Sequence, residues 1–360
     1  PILLFACASG AHKLIIFNMM QRRSLLRAAL GAPFALGQDK PSSPVRIAFL
    51  GASHAHGAAK IQMVRDNPLW ELVGVWEPDP ALATKLRASG IAILDRARLL
   101  EDASIQVVTV ESDVPDHAAD ALAALRAGKH VHVEKPPSTD VEGLRKLLDE
   151  AQARRRLLQQ GYMWRYHPGI NAMLAAARQG WLGEVFQVRA TIHTLVPAAE
   201  RAAVGRYRGG QMFELGCHLI DPLIRLMGDP LRVTPTLQHR SGDALADNTV
   251  AIFEFPRALG IVQSAAILPG ASRQRAFEIL GSNGSAVLRP IEPGVLQIDL
   301  KDAAGPYAAG TQTVALPAYR RYVIDFDELA KAVPTGAALP VTAAEELRVQ
   351  AAVLAASGMA

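Results

Sequence analysis

The sequence predicts an α/β protein with a doubly wound parallel sheet at the front. Behind it follows an α+β region carrying a large, mostly antiparallel open sheet. Three observations predict this. From Val45 to about Gly161, short apolar runs alternate with helical stretches, and connections this short imply parallel crossovers. The first apolar run ends in a glycine turn that leads straight into a helix. After about Tyr162 the rhythm changes to longer β-branched segments separated by turns.

Taken in order, strands are expected at 45–50, 71–76, 91–94, 106–111, 130–133 and 157–161. Helices are expected at 57–66, stopped by Asn67-Pro68, at 80–89, closed by Gly90, and at 115–127, closed by Gly128. A further helix runs from a capping box of Thr139 and Glu142 to about Arg155. Beyond it, strands are expected at 185–195, 231–239, 249–255, 261–268 and 276–280, with Gly281-Ser282-Asn283-Gly284 as a turn. Helices are expected at 213–226, 319–332 and 343–356. The domains are then 1–44, a targeting segment and linker; 45–163, the parallel sheet; and 164–360, the second domain.

Composition narrows the function. Half of the 360 residues are hydrophobic and a fifth are charged, which is enough apolar material for two cored domains. The net charge of +4 sits wholly in the first 45 residues, where Lys13, Arg22, Arg23, Arg27 and Lys40 face Asp39 alone. The rest is formally neutral and offers no broad footprint for nucleic acid. No apolar run reaches the ~18–20 residues of a membrane span. Cys7 and Cys217 do not make a disulfide framework. Arg22-Arg23, a modest apolar stretch and Ala35-Leu36-Gly37 have the pattern of a twin-arginine export signal after Met19 or Met20. Periplasmic location is therefore expected, and a cytoplasmic one if that signal is not read.

The loop Gly51-Ala52-Ser53-His54-Ala55-His56-Gly57 lies where a Rossmann turn presents helix N–H groups to a pyrophosphate. In that reading Gly51, Ala52, Ser53, His54 and His56 contact the cofactor, with Ser53 and His56 in place of the second and third glycines. Glu77, at the end of the second strand, can accept from ribose hydroxyls and would repel a 2′-phosphate. That favours NAD, with NADP as the other option. Two histidines one residue apart after a first strand also open the metal site of amidohydrolase-type barrels. That site would need later ligands such as His130 and His132. Since His132 runs at once into Glu134-Lys135-Pro136, no metal is expected.

The segment from Gly128 to Pro136 ends a strand at the ligand-binding edge of the sheet, where Lys135 can steady a developing alkoxide. Glu214 and His218 are four residues apart, on one helix face, with Asp221 three further along the stripe. Together with Gly161 to Pro168, Gly180 to Val185 and Gly209 to Asp221, these motifs resemble, in order, the Gfo/Idh/MocA family of oxidoreductases. The resemblance implies a catalytic Lys135, His218 as general acid/base with Glu214 beside it, and a glutamate where many members have aspartate. It also implies cofactor contacts from His117, Glu134 and Pro136, and a substrate cleft with Arg165, Tyr166 and Asp221. The implied activity is hydride transfer between a nicotinamide cofactor and a hydroxyl or carbonyl carbon of a sugar, polyol or derivative. The alternatives are an NAD-dependent glycosidase using transient oxidation, a non-catalytic dinucleotide-binding sensor, and a metal-dependent hydrolase. A homodimer or homotetramer is expected.

Overall fold

The computed structural model describes residues 43–360; the twin-arginine stretch and Cys7 lie outside them. The first sheet holds β1 (Val45–Leu50), β2 (Trp70–Trp76), β3 (Val107–Val110), β4 (His130–Val133) and β5 (Leu158–Gln160). They are all parallel, in the order β2-β1-β3-β4-β5. The helices between them are α1 (Gly57–Asp66), α2 (Pro80–Ala88), α3 (Arg96–Glu101), α4 (His117–Arg126) and α5 (Val141–Ala153). The order reverses between β1 and β3, and such a switch point opens a crevice at the carboxyl edge. Register fixes what faces that crevice. Leu50 pairs with Trp76 and Val110, and Val110 with Val133, so the next residues, Gly51, Glu77, Glu111 and Glu134, form one row just past the edge.

Several expected boundaries shift for local reasons. Residues 91–94 make a single bridge, Val75 to Ile93, instead of a strand. The cap of α5 is Asp140, whose carboxylate accepts from Gly143 N at 2.6 Å, so the Thr139 capping box does not form. An ionised carboxylate is the stronger acceptor for an orphan N–H. The expected helix at 115–127 begins as a 3₁₀ turn at Val114–Asp116 before α4.

The second sheet contains β6 (Val185–His193), β7 (Arg232–Gln238), β8 (Asn248–Phe255), β9 (Ala258–Ala265), β10 (Ala276–Gly281), β11 (Gly284–Leu288), β12 (Leu296–Leu300) and β13 (Gly310–Val314). Their order is β13-β12-β11-β10-β6-β9-β8-β7, antiparallel except for β6 beside β9. Burial alternates along β8, the signature of a sheet with one covered face. Around it run α6 (Pro168–Arg178), α7 (Ala198–Gly205), α8 (Cys217–Met227), α9 (Val323–Thr335) and α10 (Ala343–Ala356). α6 and α8 pack on the inner face, where Ile192, Leu219, Phe253, Val262 and Phe277 are fully buried. The opposite face leaves Ile252 and Leu259 exposed. α8 is entered through a wide π-helical turn at Met212–Gly216. α10 packs on both α8 and α5, so the end of the chain returns to the first sheet. Among the described residues no helix is long and apolar enough to cross a membrane.

Candidate active site

The site grows from the row at the sheet edge. Gly51 has φ +78°, and a Cβ there would meet Ser112 Cα at 2.6 Å. Only glycine fits that turn. Ser53 and Ala55 stand exposed at the loop crest. A Cβ on Gly57 would meet Ala52 O at 2.9 Å, so Gly57 provides the close helix–loop packing that the sequence reading sought at His56. Glu77 is buried, accepting from Ala52 N at 2.7 Å and from Asp79 N at 3.0 Å. Each carboxylate oxygen keeps a second lone pair for a hydroxyl.

Behind the loop lies a residue the sequence reading passed over. Lys60 is fully buried, with Nζ 2.7 Å from Glu111 Oε1, 2.8 Å from His132 Nε2 and in contact with Glu134 Oε1. The signal was present: Gly57, Lys60, Ile61 and Val64 form the buried stripe of α1, and a lysine in such a stripe needs buried partners. Glu134 accepts the Lys135 backbone N–H at 2.8 Å and lies 2.9 Å from His56 Nδ1. Burial pushes its carboxyl up, but Lys60 and then His56 and His54 outweigh this and hold it well below the ordinary value. Glu111 goes the other way. Burial, helped by Glu134 and opposed by Lys60, raises it to about 7. His54 sits among the acids, 3.8 Å from Glu111, Glu134 and Glu214.

Lys135 is buried, donating to Glu214 O at 2.8 Å and to Glu214 Oε1 at 2.9 Å. The ammonium and the carboxylate therefore meet across 79 residues. Burial raises Glu214, but Lys135 prevails and holds it down at about 2. His218 is also buried, yet both ring nitrogens lack a hydrogen-bond partner among the described residues. Its neighbours are Trp164, Tyr162 and His56, with ring centroids 5.7, 6.3 and 5.9 Å away. Desolvation, then Lys135, pushes it well below the ordinary imidazole value. The expected Glu214–His218 pair is thus not made, because Glu214 turns to Lys135. His117 lies between Pro136 O and Ser112 O, each 2.9 Å from one of its ring nitrogens; burial holds the ring neutral, so its single N–H donates to one of the two carbonyls.

Three predicted cleft residues go elsewhere. Arg165 is buried and bonded to Asp221 at 2.9 Å and to both Glu346 oxygens at 2.6 Å. That leaves Asp221 equally enclosed. Tyr166 is half-buried, 3.4 Å from Gln159. The open cleft is instead a cavity of 410 Å³ lined by Ser53, His54, Asp113, Arg206, Tyr207 and Glu214, among others. The loop fits a dinucleotide. Its crest opens on that cavity, and Ser112 Oγ and His54 Nε2 are buried without partners. Ser53 and Ala55, ahead of α1, would meet the pyrophosphate, and Glu77 the ribose.

Comparison with known proteins agrees with this geometry. Residues 45–162 match the model of an oxidoreductase family with an NAD-binding Rossmann fold, and residues 170–287 match the GFO/IDH/MocA C-terminal domain. The uncharacterized oxidoreductase YdgJ of Escherichia coli is 26% identical over 261 residues, which is 70% of this chain and 73% of that protein. Trans-1,2-dihydrobenzene-1,2-diol dehydrogenase of Bos taurus is 25% identical over 193 residues, 53% of this chain and 56% of the bovine one. The match thus spans little more than half of that enzyme. The solved UDP-N-acetylglucosamine 3-dehydrogenase of Acidithiobacillus ferrooxidans superposes with a TM-score of 0.74 at 20% identity, covering 88% of this chain and 97% of that one. At that identity the likeness speaks for the fold.

Proposed function

The chain belongs to the Gfo/Idh/MocA oxidoreductases, and on that premise we propose that it oxidises or reduces a hydroxyl-bearing carbon of a sugar, polyol or related diol. The bovine relative named above is a dehydrogenase of a dihydrodiol, which supports this substrate class. A nicotinamide dinucleotide bound on the Gly51 loop would supply the hydride exchange. The observation that carries the reading is the buried Lys135 ammonium, held at the sheet edge by Glu214. There it can donate to the substrate oxygen and stabilise the charge that develops on it. Glu214 lines the open cavity and would share the substrate's hydroxyl with the Lys135 ammonium, 2.9 Å from its carboxylate. His218, unpaired on both nitrogens, is free to exchange a proton. Glu77 favours NAD over NADP by charge.

Mass spectrometry of the gently purified protein should find a bound dinucleotide. Nicotinamide absorbance should then report turnover in a screen of polyols and sugars. Lys135→Met should lower kcat/KM by about 10²–10³-fold while dinucleotide binding persists; unchanged turnover would overturn the assignment. Glycoside cleavage without net reduced cofactor would move the reading to transient oxidation. The exposed Ile252 and Leu259 on the open sheet face support pairing of two copies there, as a homodimer or within a homotetramer. Arg22-Arg23 supports export to the periplasm.

A further inference from the structure

A hydroxyl that becomes a carbonyl must lose its proton to something. Two imidazoles neighbour one another at the site, His56 and His218, with ring centroids 5.9 Å apart, planes tilted by 40° and no hydrogen bond between them. They are not equivalent. His218 has no carboxylate behind it, and neither of its nitrogens is bonded. His56 Nδ1 lies 2.9 Å from Glu134 Oε1, and that oxygen also takes the ammonium of Lys60. An ionised carboxylate can only accept, so His56 Nδ1 carries the hydrogen and Nε2 presents its lone pair. A carboxylate on one nitrogen stabilises the cation formed when the other is protonated.

We infer that His56 takes up the reaction's proton in passing, by way of His218, with Glu134 and Lys60 as its positioning residues. This rests on the hydride-transfer reading above, in which the nicotinamide cofactor is the oxidant. The substrate O–H bond breaks and its electron pair becomes the second carbonyl bond as the C–H pair departs as hydride. The proton passes to His218 and from there, through one bridging water, to His56 Nε2, while Nδ1–H stays bonded to Glu134. In the reducing direction the same proton returns. The charged and titratable groups around His56 come from every neighbouring element. His54 precedes it in the loop, and Glu134 and Lys135 follow β4. His218 comes from α8, Tyr322 stands at the head of α9, and Lys60 and Glu111 lie behind Glu134. Burial holds His56 down at about 4 in spite of Glu134, so at neutral pH it starts unprotonated and gives up a proton soon after taking it.

Nitrogen-edited NMR of the free, full-length protein tests this without substrate. His56 should show the Nδ1–H form at neutral pH. In Lys60→Met its titration should rise by about 1–3 units, because the carboxylates lose their cation. The Nε2–H form, or an unmoved titration, would overturn the inference. In turnover, His56→Ala should lower kcat by about 10²-fold or more, leave KM for the dinucleotide nearly unchanged, and recover with added imidazole. A raised dinucleotide KM with intact kcat and no imidazole effect would make His56 a cofactor contact only, and would also overturn it. Wild-type protein that neither binds a dinucleotide nor transfers hydride would fail the functional reading itself. An active wild type with the wrong tautomer would fail His56 alone.

Discussion

Two clusters of buried charge, one at the edge of the parallel sheet and one beneath α8 and α10, are built from the same residue types. In the second, Arg165 donates to Asp221 and Glu346, lies 4.7 Å over the Tyr162 ring, and has Arg225 3.8 Å from Asp221. Two guanidiniums stand against two carboxylates, so the charges balance. In the first, Lys60 and Lys135 meet Glu111, Glu134 and Glu214, an excess of one acid. Burial, and then that excess, leaves Glu111 reluctant to ionise, and His54 and His56 stay within reach of the carboxylates. A charge-balanced cluster stiffens the fold. One with an acid to spare can exchange protons.

Removing one cation from each cluster should separate these roles. Arg165→Met should cost the most stability, about 3–5 kcal/mol, because two enclosed carboxylates lose their partner. Chemical denaturation would measure it, and the folded fraction should keep its KM. A KM change at unaltered stability would return Arg165 to the substrate cleft and break the comparison. Lys60→Met should cost less, about 1–3 kcal/mol, because its carboxylates can take up a proton instead. Its deficit should widen as pH rises above neutrality, and a deficit flat with pH would count against an acid-rich cluster.

Glu111→Gln should have the smallest effect and the clearest sign. The Glu111 carboxyl is raised from an ordinary 4.5 to about 7 in the fold. Its contribution is therefore fully present below about 4.5 and lost as pH rises through about 7. Glutamine mimics the protonated form, so variant and wild type should be equally stable near the lower value. Above the upper one the variant should be ahead by about 1–3 kcal/mol. Equal stability at both ends would mean that Glu111 is an ordinary ion-paired acid.

The parallel sheet was readable because its signals are local. β1, α1, β4 and α10 fall at the residues the pattern of apolar runs and breakers predicts. In the second sheet, β12 and β13 and the helices α6 and α7 went unread. β13 alternates mostly exposed, weakly apolar residues, so its pairing with β12 across the sheet defines it. Lys135, Glu214 and His218 could be placed from motifs, and the register of β4 brings Lys135 to the sheet edge. What no motif carries is partner choice. Arg165 and Asp221 look alike in sequence whether they face a substrate or each other, and Glu346 arrives from α10, 181 residues beyond Arg165. His56 was read as a loop residue because its carboxylate lies 78 positions away.

The wide turn that opens α8 has a consequence of its own. An α-helix spends nearly every carbonyl on its own ladder, whereas a turn widened by one residue loosens that bookkeeping. Glu214 sits inside it, and its carbonyl receives the Lys135 ammonium at 2.8 Å. A single inserted residue thus turns a piece of scaffold into a ligand that no side-chain substitution can remove. Deleting one position between Met212 and Gly216 would tidy the helix and leave the lysine one anchor short.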